Sequence, residues 1–207
     1  MGRTHATRAL ENSARRLGFN RIAGVDEVGR GCLAGPVMAG AVVLDPARHI
    51  PGLCDSKLIP SSERTRLHDE IVASALRWSV GAVEPAEIDR LNIHRATLEA
   101  MRQAVMALDP LPDLVLVDAF TIPGLWIPQR GVVHGDRRCA SIAAASIVAK
   151  VTRDRCMDEL HRLDPRYGFD RHKGYGTAEH LAAVQRFGYS AHHRRSFRPP
   201  SLFEALE

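Results

Sequence analysis

Residues 141–154, SIAAASIVAKVTRD, are small or apolar on almost every side, and a helix of that kind is stable only where other elements enclose it. Residues 113–118, DLVLVD, form a nearly unbroken apolar run with the pattern of a strand buried on both faces. A chain that carries both must build a sheet and cover it with helices. With 207 residues, 45% of them hydrophobic and 25% charged, there is enough apolar material for one such core. The expectation is a single domain over 1–207, with about 177–207 as a C-terminal helical and basic extension. The chain shows no internal repeat, low-complexity segment or linker that would divide it.

The other elements follow from pattern and punctuation. Residues 22–28 read as a strand and 35–46, GPVMAGAVVLDP, as a second one ended by Asp-Pro, the two joined through a glycine-rich turn into a hairpin. Ser61 and Ser62 are placed to cap a helix running to about Leu76, with Glu63 in its first turn, and 76–84 reads as a third strand. Pro85 opens a helix whose Ile88, Leu91, Leu98, Met101, Val105 and Leu108 recur on one stripe. Residues 130–136, RGVVHGD, are a short strand, and a last helix runs from Thr177 to about Phe187. Hairpin strands first and strands alternating with helices later predict an α/β fold, a mixed sheet flanked by helices.

Composition excludes more than it assigns. A net charge of +4 permits a polyanionic partner without requiring one, and the thickening of basic residues in HHRRSFRPP, 192–200, reads by itself as a solvated tail. Cys32, Cys54, Cys139 and Cys156 have no Cys-x-x-Cys spacing, and no His-x-x-x-His pair occurs, which argues against a disulfide framework and a zinc site alike. The N-terminal residues lack a signal-peptide apolar region, Ala6 stands where a myristoylated chain needs Ser or Thr, and no apolar run is long enough to cross a bilayer. A cytoplasmic protein without a membrane partner is expected.

Three of the strand-like segments end in acids: Asp26 and Glu27 in IAGVDEVGRG, Asp118 in DLVLVD, and Asp136 after Val132, Val133, His134 and Gly135. In open α/β sheets the ligand crevice lies outside the carboxyl ends of the strands, where such acids can converge. Converged carboxylates repel unless a cation or shared protons hold them, and hard oxygen donors with no His-rich or Cys-rich neighbour suit Mg²⁺ or Mn²⁺. Two such ions about 4 Å apart serve phosphodiester hydrolysis, one activating a water and the other stabilising the leaving oxygen. Acids just past strands also act as turn formers or helix caps, and spacing alone leaves both readings open. Asp26 and Glu27 add a geometric condition, because neighbours in a regular strand face opposite ways. Both reach one centre only if the strand ends or bulges there, which Gly29 and Gly31 permit.

Other chemistry-bearing segments are less specific. GRGCLAG follows a strand but has the wrong glycine spacing for a dinucleotide fingerprint, and strand rather than helix comes next. Ser146 and Lys150 lie one helical turn apart, where a structural hydrogen bond is a better reading than a Ser-Lys nucleophile. With Arg153 they share a face that can anchor a carboxylate or phosphate if it looks toward the acids, or form a buried ion pair or solvated edge if it does not. YGFDRHKGYGT, 167–177, has the composition to stack on a sugar or base while cations meet phosphates. Lys57 sits in a turn within CDSKLIP.

Taken together these segments resemble ribonuclease HII, the type 2 ribonuclease H family of bacteria and archaea. The family's opening signature is matched by residues 24–31 (GVDEVGRG), its Asp-Ser-Lys by Asp55, Ser56 and Lys57, and its central helix by 144–154 (AASIVAKVTRD). HKGYGT, 172–177, and HRRSFRP, 193–199, complete the set, in family order over roughly residues 20–200. The resemblance implies a ribonuclease H-like sheet and cleavage of the RNA strand of RNA/DNA hybrids. It further implies incision on the 5′ side of a single ribonucleotide in duplex DNA, leaving 3′-hydroxyl and 5′-phosphate ends.

By the same carry-over Asp26, Glu27, Asp118 and Asp136 are the catalytic carboxylates that bind two divalent ions, Mg²⁺ or Mn²⁺. Gly29, Arg30 and Gly31 sense the 2′-hydroxyl largely through backbone groups, Lys57 and Lys150 belong to the substrate-binding set, and Tyr175 is the junction-stacking tyrosine, with Tyr167 as its rival. A monomer is expected, and the tail is a candidate contact for a sliding clamp. Three departures touch the nucleic-acid grip: Ala119 where a glycine commonly follows the acid, His134 where the family often has lysine, and no second lysine after Asp-Ser-Lys. The competing readings are ribonuclease HIII or a junction-resolving nuclease of the same superfamily, and a non-catalytic hybrid-binding module.

Overall fold

The structure, a computed structural model, describes residues 5–197. Strands β1 (Ile22–Val28), β2 (Val37–Val43), β3 (Arg77–Val83), β4 (Leu114–Asp118) and β5 (Gln129–Val132) form one sheet in the order β3-β2-β1-β4-β5. β1, β2 and β3 are an antiparallel meander, while β4 and β5 run parallel to β1. The helices among the described residues are α1 (Ala9–Arg16), α2 (Ser61–Ser74), α3 (Pro85–Leu91), α4 (Ile93–Met106), α5 (Gly135–Arg138), α6 (Ala140–Leu163), α7 (Phe169–His172) and α8 (Ala178–Phe187). The α/β expectation therefore holds.

Strand alternation sorts the core into two sides. Ala23, Val25, Val37, Ala39, Ala41, Val43, Val115 and Val117 pack with Ala96, Ala100, Met101 and Val105 of α4 on one face. Ile22, Val42 and Leu116 turn to the other face, toward Ile142, Ala143 and Ile147 of α6. The 24-residue α6 is enclosed as its composition requires, because α2 and the sheet cover it. At two glycines it also approaches strand backbone directly: a methyl placed on Gly24 would come 2.1 Å from the Ser141 carbonyl carbon, and one on Gly40 would come 2.5 Å from the Ala145 oxygen. α6 is thus held close over β1, with Ser146 above the strand's last turn of residues.

Four local expectations are corrected. The stripe from Pro85 is not one helix but two, broken at Asn92, whose φ of 71° is left-handed. The Asn92 side chain accepts from the Arg95 N–H and starts α4, so the apolar period carries across a break it cannot reveal. α2 ends at Ser74 and starts without a side-chain cap, Pro60 occupying the cap position and both serines lying inside the first turn. β5 stops at Val132, and Asp136 stands instead in the first turn of α5 behind His134, at φ 54°.

The basic run is not a solvated tail either. His193 and Arg194 are buried, and the chain from 192 to 194 is bonded into the body of the protein: Gly35 N–H donates to the His192 carbonyl and Arg194 N–H to that of Leu33. The helical part of the expected extension is α8, which packs Val184 against Met157, Tyr167 and Phe169. Residues 198–200 of the basic run, the remainder of the extension, and residues 1–4, where the lipidation reading falls, lie outside the described residues. No helix among those described is long and apolar enough to cross a membrane.

Candidate active site

β1 and β4 run parallel in register through Val25 and Val117, so the next residues along, Asp26 and Asp118, reach the carboxyl edge of the sheet side by side. β1 then outruns β4. Of the two conditions set for Asp26 and Glu27, an end or a bulge of the strand, there is no bulge, since pairing with β2 stays regular through Val28; what ends there is the pairing with β4. What opens the site is the loss of the β4 neighbour: Asp26 turns to the α6 side, beside Ser146, with its Oδ1 accepting from the Glu27 N–H at 2.8 Å, and Glu27 lies on the other side of the same rim. Asp136 joins from α5, whose first peptide is tied to the same edge by the Gly135 N–H donating to Asp118 Oδ1 at 2.7 Å.

The electrostatics are those of acids crowded together. Burial, reinforced by the charges of Glu27 and Asp118, holds the Asp26 carboxyl well above the ordinary aspartate range. Glu27 is raised by burial too, with Arg30, 3.8 Å from its Oε1, pulling the other way, and its Oε2 is buried with no hydrogen-bond partner. Asp136 is raised by burial and then by Asp55 and Asp118. Lys57 offsets part of this at Glu27 and Asp136, while Lys150 Nζ pairs with Asp154 at 2.6 Å. Among the described residues no three His, Cys, Asp or Glu side chains already meet at metal-ligand spacing. The partnerless Glu27 oxygen, with Asp26 and Asp118 close enough to act electrostatically on one site and Asp136 beside Asp118, is nevertheless hard oxygen-donor chemistry of the kind that suits a divalent cation such as Mg²⁺ or Mn²⁺.

A cleft of about 170 Å³ opens beside Asp26 and Glu27, walled by residues 28–31, Ser56, Lys57, Ser146, Lys150 and Tyr175. Gly29 has φ 88°, and a methyl there would meet Arg153 Nε at 2.3 Å, so only glycine fits; Gly31 faces open space. The Arg30 guanidinium lies 5.0 Å over the Phe120 ring. The two tyrosines differ in exposure. Tyr175 is 41% exposed in the cleft, whereas Tyr167 is 1% exposed and spends its hydroxyl on the Gly188 carbonyl.

The face expected for Ser146, Lys150 and Arg153 divides. The first two reach the cleft, while Arg153 is fully buried and donates to the carbonyls of Pro36, Lys173 and Ala34. Ser146 is no nucleophile, its hydroxyl lying 2.9 Å from that of Ser56 in a buried pair. Asp55, quoted in the sequence only as part of a motif, proves to be a buried acid that raises Asp136 and pairs with Arg137 at 3.1 Å. Its only sequence signal is the Asp-Ser-Lys triplet. A larger groove, about 710 Å³, lies between α3 and α4; of the charges that line it, Glu87 and Glu99 are paired with Arg90 and Arg102.

The family model described as Ribonuclease HII matches residues 23–199. A ribonuclease HII of Geobacillus thermodenitrificans is 55% identical over 182 residues, covering 88% of this chain and 70% of the relative. Among solved structures, the ribonuclease HII of an Archaeoglobus fulgidus PCNA:RNase HII complex superposes with a TM-score of 0.73 at 25% identity, over 89% of this chain and all of the other. A Bst-RNase HIII in complex with Mn²⁺ shares the fold, with a TM-score of 0.70 at 20% identity over 94% of this chain and 71% of that one. The sheet order, the acids at its carboxyl edge and these likenesses agree: the chain belongs to the ribonuclease HII family and is an RNA–DNA hybrid ribonuclease.

Proposed function

We propose that the enzyme incises duplex DNA on the 5′ side of a single embedded ribonucleotide as well as cutting the RNA strand of continuous hybrids. The observation that carries this reading is the single cleft in which Asp26 and Glu27, the main chain of Gly29, Arg30 and Gly31, and the exposed Tyr175 share one wall. Peptide groups at glycines approach a sugar closely, and the 2′-hydroxyl is what separates a ribonucleotide from its DNA neighbours. Tyr175 offers a ring face to the neighbouring nucleotide, and Lys57 and Lys150 give the phosphates cationic partners. That Asp26 and Glu27 line the same cleft as residues 29–31 supports this reading.

Asp26, Glu27, Asp118 and Asp136 would hold two divalent ions, Mg²⁺ or Mn²⁺. When bound, these supply a water acidic enough to deprotonate near neutral pH and charge stabilisation for the leaving oxygen. The chain's own residues do the rest. The Glu27 N–H holds Asp26, the Gly135 N–H holds Asp118, and both carboxylates are set before substrate arrives. Water attacks phosphorus, the P–O3′ bond breaks, and that oxygen leaves as the upstream 3′-hydroxyl while the phosphate stays 5′ on the ribonucleotide. We read the domain as one unit over 1–207 acting as a cytoplasmic monomer, with sliding-clamp contact a proposal supported by the archaeal relative's complex.

The test is incision of an end-labelled DNA duplex carrying one ribonucleotide, with Mg²⁺ or Mn²⁺ and with EDTA. A cut immediately 5′ of the ribonucleotide that EDTA abolishes supports the reading. Cutting of continuous hybrid alone refutes the single-ribonucleotide half, and activity that survives EDTA refutes the metal half.

A further inference from the structure

The segment that reads as a basic tail forms a wall behind the cleft. Residues 32–35 are held on one side by the Tyr175 loop, with Leu33 N–H donating to the Gly174 carbonyl at 2.8 Å and a bridge between Cys32 and Tyr175. On the other side they are held by residues 192–194, with Gly35 N–H donating to the His192 carbonyl at 2.8 Å, Arg194 N–H to that of Leu33 at 2.8 Å, and a bridge between Ala34 and His193.

Side chains tighten this seam. Arg194 is fully buried, and its guanidinium donates from Nε and Nη2 to the Gly35 carbonyl, at 2.9 and 2.8 Å, and from Nη1 to the Arg30 carbonyl at 3.0 Å. One rigid fork therefore fixes both ends of the loop that contains Gly31. The His193 proton is placed by its neighbours. Nδ1 accepts from the Ser190 N–H at 3.0 Å, so the ring proton sits on Nε2 and is donated across 3.0 Å to His180 Nε2. His180 then carries its own proton on Nδ1 and donates it to the Tyr175 carbonyl at 2.9 Å. A buried guanidinium spent entirely on loop carbonyls stabilises a core poorly compared with an apolar side chain, but it selects one backbone conformation.

We propose that Arg194 and His193 are positioning residues for ribonucleotide recognition: Arg194 sets the main chain at Arg30 and Gly31, and His193, through His180, sets Tyr175. The proposal rests on the reading of those two loops as sugar sensor and stacking platform. Arg194→Lys keeps the charge but loses the fork, and His193→Gln removes the ring that orders His180.

The experiment measures kcat and KM for wild type, both variants and Tyr175→Ala on two end-labelled duplexes, one DNA with a single ribonucleotide and one with a continuous RNA strand. Thermal unfolding is followed alongside. A continuous strand offers a 2′-hydroxyl at every position and tolerates a displaced reader, whereas a single ribonucleotide does not. Arg194→Lys and His193→Gln are expected to lower kcat/KM on the single ribonucleotide about tenfold more than on the hybrid, the scale of one hydrogen bond. Equal losses on both substrates that follow the folded fraction overturn the proposal, since that is what a purely structural role gives. If Tyr175→Ala shifts the ratio and the other two do not, the recognition reading stands and the positioning proposal alone is lost. A wild type that cuts only continuous hybrid removes the reading and the proposal with it.

Discussion

The buried histidines make a quantitative claim about acid stability. His180 is pushed down to about 4 and His193 to about 3, by burial first and then by neighbouring histidines, against an unfolded value near 6.5. A group with a depressed folded pKa contributes stability that is present above the unfolded value and is lost as pH falls toward the folded one. Near pH 5 the unfolded chain holds a proton on each ring and the native chain on neither. Stability then falls by about 1.4 kcal/mol per pH unit for each histidine, or about 2.7 kcal/mol per unit for the pair. Between pH 7.5 and 5 the two account for a loss of about 4 kcal/mol, a large part of the ~5–15 kcal/mol that holds a typical domain. Asp26 and Glu27, raised in the fold, oppose this trend, so the wild-type slope alone does not isolate it. The difference from His193→Gln does. Urea unfolding in EDTA at steps from pH 7.5 to 4.5 should give a variant slope smaller than wild type by at least about 1.4 kcal/mol per unit near pH 5, whatever its absolute stability. Equal slopes would refute the neutral, proton-sharing pair.

Two further perturbations probe the site and its scaffold. Asp118→Asn keeps an oxygen for the Gly135 N–H but removes a charge the other acids share, and should lower turnover on hybrid by roughly 10²–10³-fold while leaving binding measured in EDTA nearly unchanged; wild-type turnover would remove Asp118 from the catalytic set. Gly24→Ala puts a methyl 2.1 Å from the backbone of α6, which must move, and should cost about 1–3 kcal/mol, lowering Tm by about 2–4 °C for each kcal/mol; an unchanged Tm would show that α6 is not seated on β1 as described.

The parts of this molecule that were legible in its sequence are those where a side chain's own chemistry repeats or terminates an element. Apolar runs bounded by turn residues marked β1 and β2, the enclosed α6 followed from its composition, and acids at strand ends pointed to Asp26, Glu27 and Asp118 at one sheet edge. Asp136 was found for a partly wrong reason, since it sits on a helical turn and not at the end of a strand. The break at Asn92 stayed hidden because the apolar stripe runs through it.

The larger omission has a common cause. Arg153 and Arg194 look like any exposed arginine, and HHRRSF like a solvated end, because what buries them is a set of backbone carbonyls at Ala34, Pro36, Lys173, Arg30 and Gly35. Every residue carries a carbonyl, so an acceptor of this kind leaves no mark in a sequence, whereas a carboxylate partner would. It follows that charged residues near a loop that must hold one conformation are the ones a sequence most readily misplaces. Here two of them, Arg153 and Arg194, close on the single segment between Gly29 and Pro36 that connects β1 to β2.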